Sequence, residues 1–287
     1  MVTAGFFCAY FAAMQNGSIG IFDSGYGGLT VMKEIVTALP QYDYIYLGDN
    51  ARAPYGSRSF ETVYRYTLEC VQWFFSQGCP LVILACNTAS AKALRTIQQN
   101  DLQKLNAANR VLGVIRPTAE VIGNFSTTKK VGILATTGTV QSQSYVIETN
   151  KFFPDVEVFQ QACSMWVSLI ENKKHKSEGA DYFVKECIDG LLRQCATIDT
   201  ILLGCTHYPL LLNKIKAYLP KNIQVVSQGK IVAASLKEYL VRHPQFEERL
   251  LKSSTRSFFT TDDANDFNAH AQLFYTEEIK AKHVVIE

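Results

Sequence analysis

Short apolar runs alternate with longer stretches in which apolar residues recur every three or four positions, which is the signature of strands alternating with amphipathic helices. Ser18–Phe22 reads as a strand, followed by a glycine turn and a helical pattern over Leu29–Leu39. Asp43–Leu47 is a second strand, and Phe60–Gln77 a long helix with Val63, Leu68, Val71, Phe74 and Phe75 on its apolar side. The fully apolar run Leu81–Ala85 precedes a helix from Thr88 to about Gln99, and Val111–Ile115 is a strand ending at Arg116-Pro117. The rhythm then restarts, with strands at Lys130–Ala135, Val156–Gln160, Thr200–Leu203 and Gln224–Val226. Helices beginning at Ser142 and spanning Tyr182–Arg193, Leu210–Leu219 and Ile231–Val241 fall between or after them. The tail reads as two further strands, Phe258–Thr261 and Val284–Ile286, antiparallel at a sheet edge. Such a βαβα succession predicts an α/β protein of open, mostly parallel, doubly wound sheets with helices on both faces.

Within that rhythm lies one long-range echo. LVILACNTASA at 81–91 and TILLGCTHYPL at 200–210 share a plan: an apolar strand, a cysteine, then small or hydroxyl residues opening a helix. The cysteines are 205 − 86 = 119 residues apart. The spacing is that of a domain, so the chain is read as two similar α/β domains, each offering a thiol at the same place.

Composition narrows the function classes. Of the 287 residues, 47% are hydrophobic and 19% charged, and the formal charge is +2. This is the profile of a globular protein without a nucleic-acid or membrane partner. The apolar run Ala4–Met14 is shorter than the ~20 residues a membrane helix needs, and no Lys or Arg precedes it. Residues 1–17 are therefore read as a dispensable extension, upstream of a start at Met14, and the protein as cytoplasmic. The eight cysteines contain no C-x-x-C pair, so each is by default a reduced, buried, small hydrophobe. His175, His243, His270 and His283 are read as surface residues, and no His/Cys/Asp/Glu group has metal spacing.

Cys86 and Cys205 rise above that default because both follow strands whose carboxyl ends face the ligand crevice of a parallel sheet. Their place near helix N-termini predicts lowered thiol pKa values and usable bases. Asn87, Thr88, Thr206 and His207 supply hydrogen-bond groups beside them. Asp23, in FDSGYGG, ends the first strand, with Ser24 and three glycines allowing close approach of a ligand. A dinucleotide loop is rejected, because the third glycine is missing and Asp23 would repel a pyrophosphate.

The motifs IGIFDSGYGGLTV, YLGDNARAPYGSRS, LACNTASA, ILATTGTVQSQSY and LLGCTHYPLL resemble, in order, those of the glutamate racemases. The resemblance runs from Ile19 to about residue 275. It implies two α/β domains with the site in the crevice between them. Domain one would be 18–116 with 228–287, and domain two 117–227. It also implies racemisation of glutamate without cofactor or metal, by two opposed thiols, with D-glutamate feeding peptidoglycan synthesis. By motif matching, Cys86 serves D-glutamate and Cys205 L-glutamate. Asp23 assists the first thiol, His207 the second, and Glu171 is an additional acid. Ser24, Tyr55, Gly56, Asn87, Thr88, Thr136, Thr139 and Thr206, with Asp23 and His207, match substrate-holding positions. The expected partner is the small-molecule substrate alone, and a homodimer is compatible with it. The chain departs from the family pattern at residues 1–17, at Ser164-Met165-Trp166-Val167-Ser168 and at Ser227-Gln228-Gly229. The rival readings are an aspartate racemase and a non-catalytic binding protein.

Overall fold

A computed structural model describes residues 16–286. Cys8 and the apolar run of the extension lie outside these. Gly17 is hydrogen-bonded to the body of the protein, donating to the Arg249 carbonyl at 2.9 Å and accepting from the Leu251 amide at 3.0 Å.

Ten strands form two sheets among the described residues. The first contains β1 (Ile19–Asp23), β2 (Tyr44–Gly48), β3 (Leu81–Leu84) and β4 (Arg110–Gly113). The second contains β5 (Lys130–Ala135), β6 (Glu157–Ala162), β7 (Thr200–Gly204) and β8 (Gln224–Ser227). Two late strands, β9 (Arg256–Thr260) and β10 (Ala281–His283), return to the first sheet. The orders are β10-β9-β2-β1-β3-β4 and β6-β5-β7-β8, every pairing parallel. Two α/β domains are thus present, as the restarted rhythm predicts, and β2-β1-β3-β4 has the same order as β6-β5-β7-β8.

The alternation of side chains along each strand builds a core on both faces. Ile19 and Ile21 pack with Leu29, Met32, Ile35, Val232 and Leu236. Phe22 points the other way, to Val63, Val71 and Phe74. Helix Phe60–Ser76 starts because Ser59 caps it, its hydroxyl accepting from the Thr62 amide at 3.2 Å. Its buried Val63, Thr67, Cys70, Val71 and Phe74 follow helical spacing, which lays one stripe on the sheet. A Cβ on Gly20 would stand 2.6 Å from the Phe74 ring, so a glycine here lets that helix lie close.

Several local readings change. The strand expected to end at Arg116-Pro117 ends at Gly113, and helix Ile115–Ile122 takes over. Pro117 is tolerated in its first turn, where the missing N–H would be unpaired in any case. The last tail strand lies at Ala281–His283 and not at Val284–Ile286, and it runs parallel to its neighbour, not antiparallel, because helix Ala264–Ala271 crosses between them. The helix expected over Thr88–Gln99 is broken into Asn87–Lys92, Leu94–Thr96, a π-turn at Ile97–Asp101 and Leu102–Asn106. His175 is buried, not on the surface, and its Nδ1 has no hydrogen-bond partner.

Candidate active site

In each sheet the chain moves outward in one direction and then the other, so that β1 and β3, or β5 and β7, flank a topological switch point. Cys86 follows β3 and Cys205 follows β7. Both thiols stand on the wall of one cleft between the sheets, with Ser24, Tyr55, Gly56, Asn87, Thr88, Thr136, Glu171, Thr206 and His207. Pro54 and Val167 complete the lining. Two expected substrate contacts lie behind that wall. Asp23 is fully buried and accepts from the Thr206 hydroxyl at 3.5 Å. Thr139 meets the cleft through the Thr136 hydroxyl, at 3.1 Å.

The halves are brought into contact by small residues. A Cβ on Gly27 would lie 2.3 Å from Thr206 Oγ1 and 2.4 Å from His207 Nδ1, so only glycine lets the first loop reach the second domain. Thr30 donates to the Thr206 carbonyl at 2.9 Å, and Gly138 N–H donates to the Gly56 carbonyl at 2.8 Å. Thr88 and Thr136 join hydroxyls across the cleft at 2.9 Å. Phe274 lies edge-on to the His207 ring, their centroids 5.3 Å apart.

Each thiol has a different setting. Cys86 receives the Ala89 amide at 3.5 Å and meets the Ser24 hydroxyl at 3.5 Å. Burial, reinforced by the charge of Asp23, nevertheless pushes its pKa up to about 12. The lowered value expected from the helix start is therefore not what the resting site has, since one amide on a short helix does not offset desolvation. Cys205 is followed by a 3-10 turn at Tyr208–Leu211 and not directly by an α-helix. Its sulfur lies 3.9 Å from His207 Nδ1, and His207 Nε2 lies 3.0 Å from Glu171 Oε1. Burial pulls His207 down, but its bonds to Cys205 and Glu171 outweigh this and carry its pKa up to about 10. Asp23 is itself raised by burial, against the opposing charge of His207.

A supporting cluster was not singled out by sequence. Tyr55 donates to Asp49, which also accepts from Arg52 Nε at 2.7 Å, and Arg52 pairs with Glu69. These residues fix the loop that carries Tyr55 and Gly56. The signal was available in the YLGDNARAPYG motif, but nothing in its spacing announces a buried ion pair.

The sequence profile of the Asp/Glu/hydantoin racemase family matches residues 19–236. A glutamate racemase of Sulfurihydrogenibium sp. is 38% identical over 251 residues, covering 87% of this chain and 90% of that one. The crystal structure of a glutamate racemase isoform from Bacillus anthracis has a TM-score of 0.84 at 32% identity, covering 94% of this chain and 98% of the other. That of the Francisella tularensis glutamate racemase in complex with D-glutamate has a TM-score of 0.82 at 30% identity, covering 95% and 98%. The chain belongs to the Asp/Glu/hydantoin racemase family and groups there with the glutamate racemases.

Proposed function

We propose that this protein interconverts L- and D-glutamate by a two-base mechanism that uses no cofactor, and that it supplies D-glutamate for peptidoglycan synthesis in a bacterial cytoplasm. The observation that carries the reading is the pair of thiols at equivalent switch points, facing one cleft. The names of the relatives support glutamate as the substrate. The division of the chain into 18–116 with 228–287 and 117–227 belongs to the same proposal. Among the described residues no helix is long and apolar enough to cross a membrane.

In the L-to-D direction, the Cys205 thiolate takes the α-proton and becomes a thiol. The electron pair left on Cα then takes the proton of the Cys86 thiol on the opposite face, leaving Cys86 as thiolate. The reverse direction exchanges the two roles. The resting site is arranged for the first case, because burial keeps the proton on Cys86. His207 Nδ1 faces the Cys205 sulfur, and Glu171 holds that imidazole. Asp23, behind Thr206, is the acid associated with Cys86. The hydroxyls and amides of Ser24, Asn87, Thr88, Thr136 and Thr206 supply donors for the substrate carboxylates and for charge developing at Cα.

The test is incubation with L- or D-glutamate in heavy water, without added cofactor, with aspartate as control. Deuterium at Cα accompanied by loss of optical rotation, for glutamate and not aspartate, is the expected result. Binding without exchange would overturn the reading.

A further inference from the structure

The chain passes between the two sheets twice, after β4 and after β8. Gln228 stands at the second crossing, and Val114 and Thr118 at the first. Gln228 is almost fully buried and carries no charge, yet it reaches both crossings, both domains and a residue of the cleft.

Three side chains close a ring. Asn87 Nδ2 donates to Gln228 Oε1 at 2.7 Å, Gln228 Nε2 donates to the Tyr145 hydroxyl at 2.6 Å, and that hydroxyl donates to Asn87 Oδ1 at 2.6 Å. Gln228 Nε2 also faces Thr118 Oγ1 at 3.0 Å and the Val114 carbonyl at 3.3 Å. The Thr118 hydroxyl proton is spent on the same carbonyl, at 2.9 Å. The polarity of the ring follows from that backbone group. A carbonyl only accepts, so the Gln228 amide must turn its NH₂ toward Val114 and its oxygen toward Asn87. Asn87 must answer with its own NH₂, and the Tyr145 proton has only Asn87 Oδ1 left to take it. A flipped amide at either position sets two acceptors or two donors against each other in a buried place, which is costly.

Asn87 follows Cys86 and lines the cleft. Its NH₂ has two protons and the ring uses one, so one N–H is left in a fixed orientation. Taking the cleft as the glutamate site proposed above, we infer that Gln228 is a positioning residue: it locks the Asn87 amide as a donor to a carboxylate of the substrate, with the Val114 carbonyl setting the direction. An asparagine free to turn would present its oxygen to that carboxylate part of the time.

The variants are Gln228→Met, which keeps the volume and removes the tie to the Val114 carbonyl and both ring bonds of Gln228, and Tyr145→Phe, which removes both ring bonds of the hydroxyl but leaves Gln228 bonded to Asn87 and to the Val114 carbonyl. Steady-state racemisation of both enantiomers, calorimetric binding of D-glutamate and thermal melting are measured for each, alone and with Asn87→Ala. A donor held to a charged group is worth ~10-fold or more in binding. Gln228→Met is expected to raise KM and the D-glutamate dissociation constant by about that factor, with a smaller change in kcat. kcat/KM must fall equally in both directions, because the enantiomers have equal free energy. Tyr145→Phe shifts KM the same way by less. In the Asn87→Ala background neither substitution should raise KM further. Additive losses, or a lower melting temperature with unchanged KM, would show that Gln228 only holds the crossings together and would overturn the inference. If Gln228→Met does not fold, Tyr145→Phe decides alone, and an unchanged KM overturns it. An active wild type with unaltered variants refutes this inference only, whereas a wild type that neither racemises nor binds glutamate refutes the function as well.

Discussion

The ends of β3 and β7 carry the same backbone plan and opposite electrostatics. Phe22 pairs with Leu84 in one sheet, and Leu134 with Leu203 in the other, with a cysteine two residues beyond each partner. By that register Asp23 corresponds to Ala135, Ser24 to Thr136, Asn87 to Thr206 and Thr88 to His207. In the first half the acid sits at the end of the central strand, fully buried, and joins with burial to keep the Cys86 proton in place. In the second half that strand position is an alanine. The acid comes instead from helix Trp166–Glu171 and acts through an imidazole at the position of Thr88. A duplicated frame thus presents a protonated thiol on one side and a thiol backed by a cation on the other. A proton leaving one face of Cα and returning on the other needs that difference.

The strongest way to break the comparison is to remove either thiol. Cys86→Ser and Cys205→Ser should each lower racemisation by at least the ~10²–10⁴-fold that a positioned general base supplies. An analogue with a β leaving group needs only one abstraction to eliminate. Cys86→Ser should still process its L-form through Cys205, and Cys205→Ser its D-form through Cys86. His207→Asn should slow elimination of the L-form more and Asp23→Asn that of the D-form. Equal loss of both enantiomers in both cysteine variants would end the one-thiol-per-face account. Gly27→Ala comes next. Its methyl would meet Thr206 and His207 well inside contact distance, so the first loop must withdraw. Displacement near 1 Å costs ~10²-fold in turnover, and elimination through Cys205 should suffer more than through Cys86. Equal rates for Gly27→Ala and wild type would mean that the halves need no such close approach.

What the sequence made legible follows from where the determining forces act. The strand and helix alternation was readable because burial on a parallel sheet imposes its period on the chain, as Val63, Val71 and Phe74 show. The paired cysteines were readable because the LACNT and LGCTH segments repeat the same strand-end chemistry. Helix Ala264–Ala271 was missed for want of a strong apolar stripe. Only Phe267 and Ala271 are buried in it, and without it the two tail strands could not be known to run parallel. The raised Cys86 pKa was out of reach for another reason. Desolvation depends on what closes over a group, and here that closure is made by residues far away in the chain, Tyr55 and Glu171 among those lining the cleft. The ring of Asn87, Tyr145 and Gln228 joins residues up to 141 positions apart, and no local pattern announces it.

The smallest effect sharpens the comparison through stability. An imidazole whose folded pKa is about 10, against an ordinary 6.5, contributes stability that is complete below 6.5 and lost as pH rises through 10. Glu171→Gln removes one source of that shift, so it should melt below wild type at pH 7. The deficit should shrink above pH 10, where His207 is neutral in both. Asp23 has the same sign of linkage from the opposite cause, since burial disfavours its charged form where partners favour that of His207. A carboxyl raised by burial contributes stability present below its ordinary 3.8 and lost as pH climbs through its raised value, so at neutral pH the buried carboxyl is a liability. Asn at this position keeps one acceptor, which the Gly25 amide requires, turns its NH₂ toward the Thr206 hydroxyl oxygen and carries no charge. Asp23→Asn should therefore melt above wild type at pH 7, on the order of 2–4 °C for each kcal/mol recovered in a chain of this size, while slowing elimination of the D-form. Melting curves of both variants at pH 7 and pH 10.5 decide the matter. A less stable Asp23→Asn at pH 7, or a Glu171→Gln deficit that does not change with pH, would mean that the two halves are not held in the opposite charge states described here.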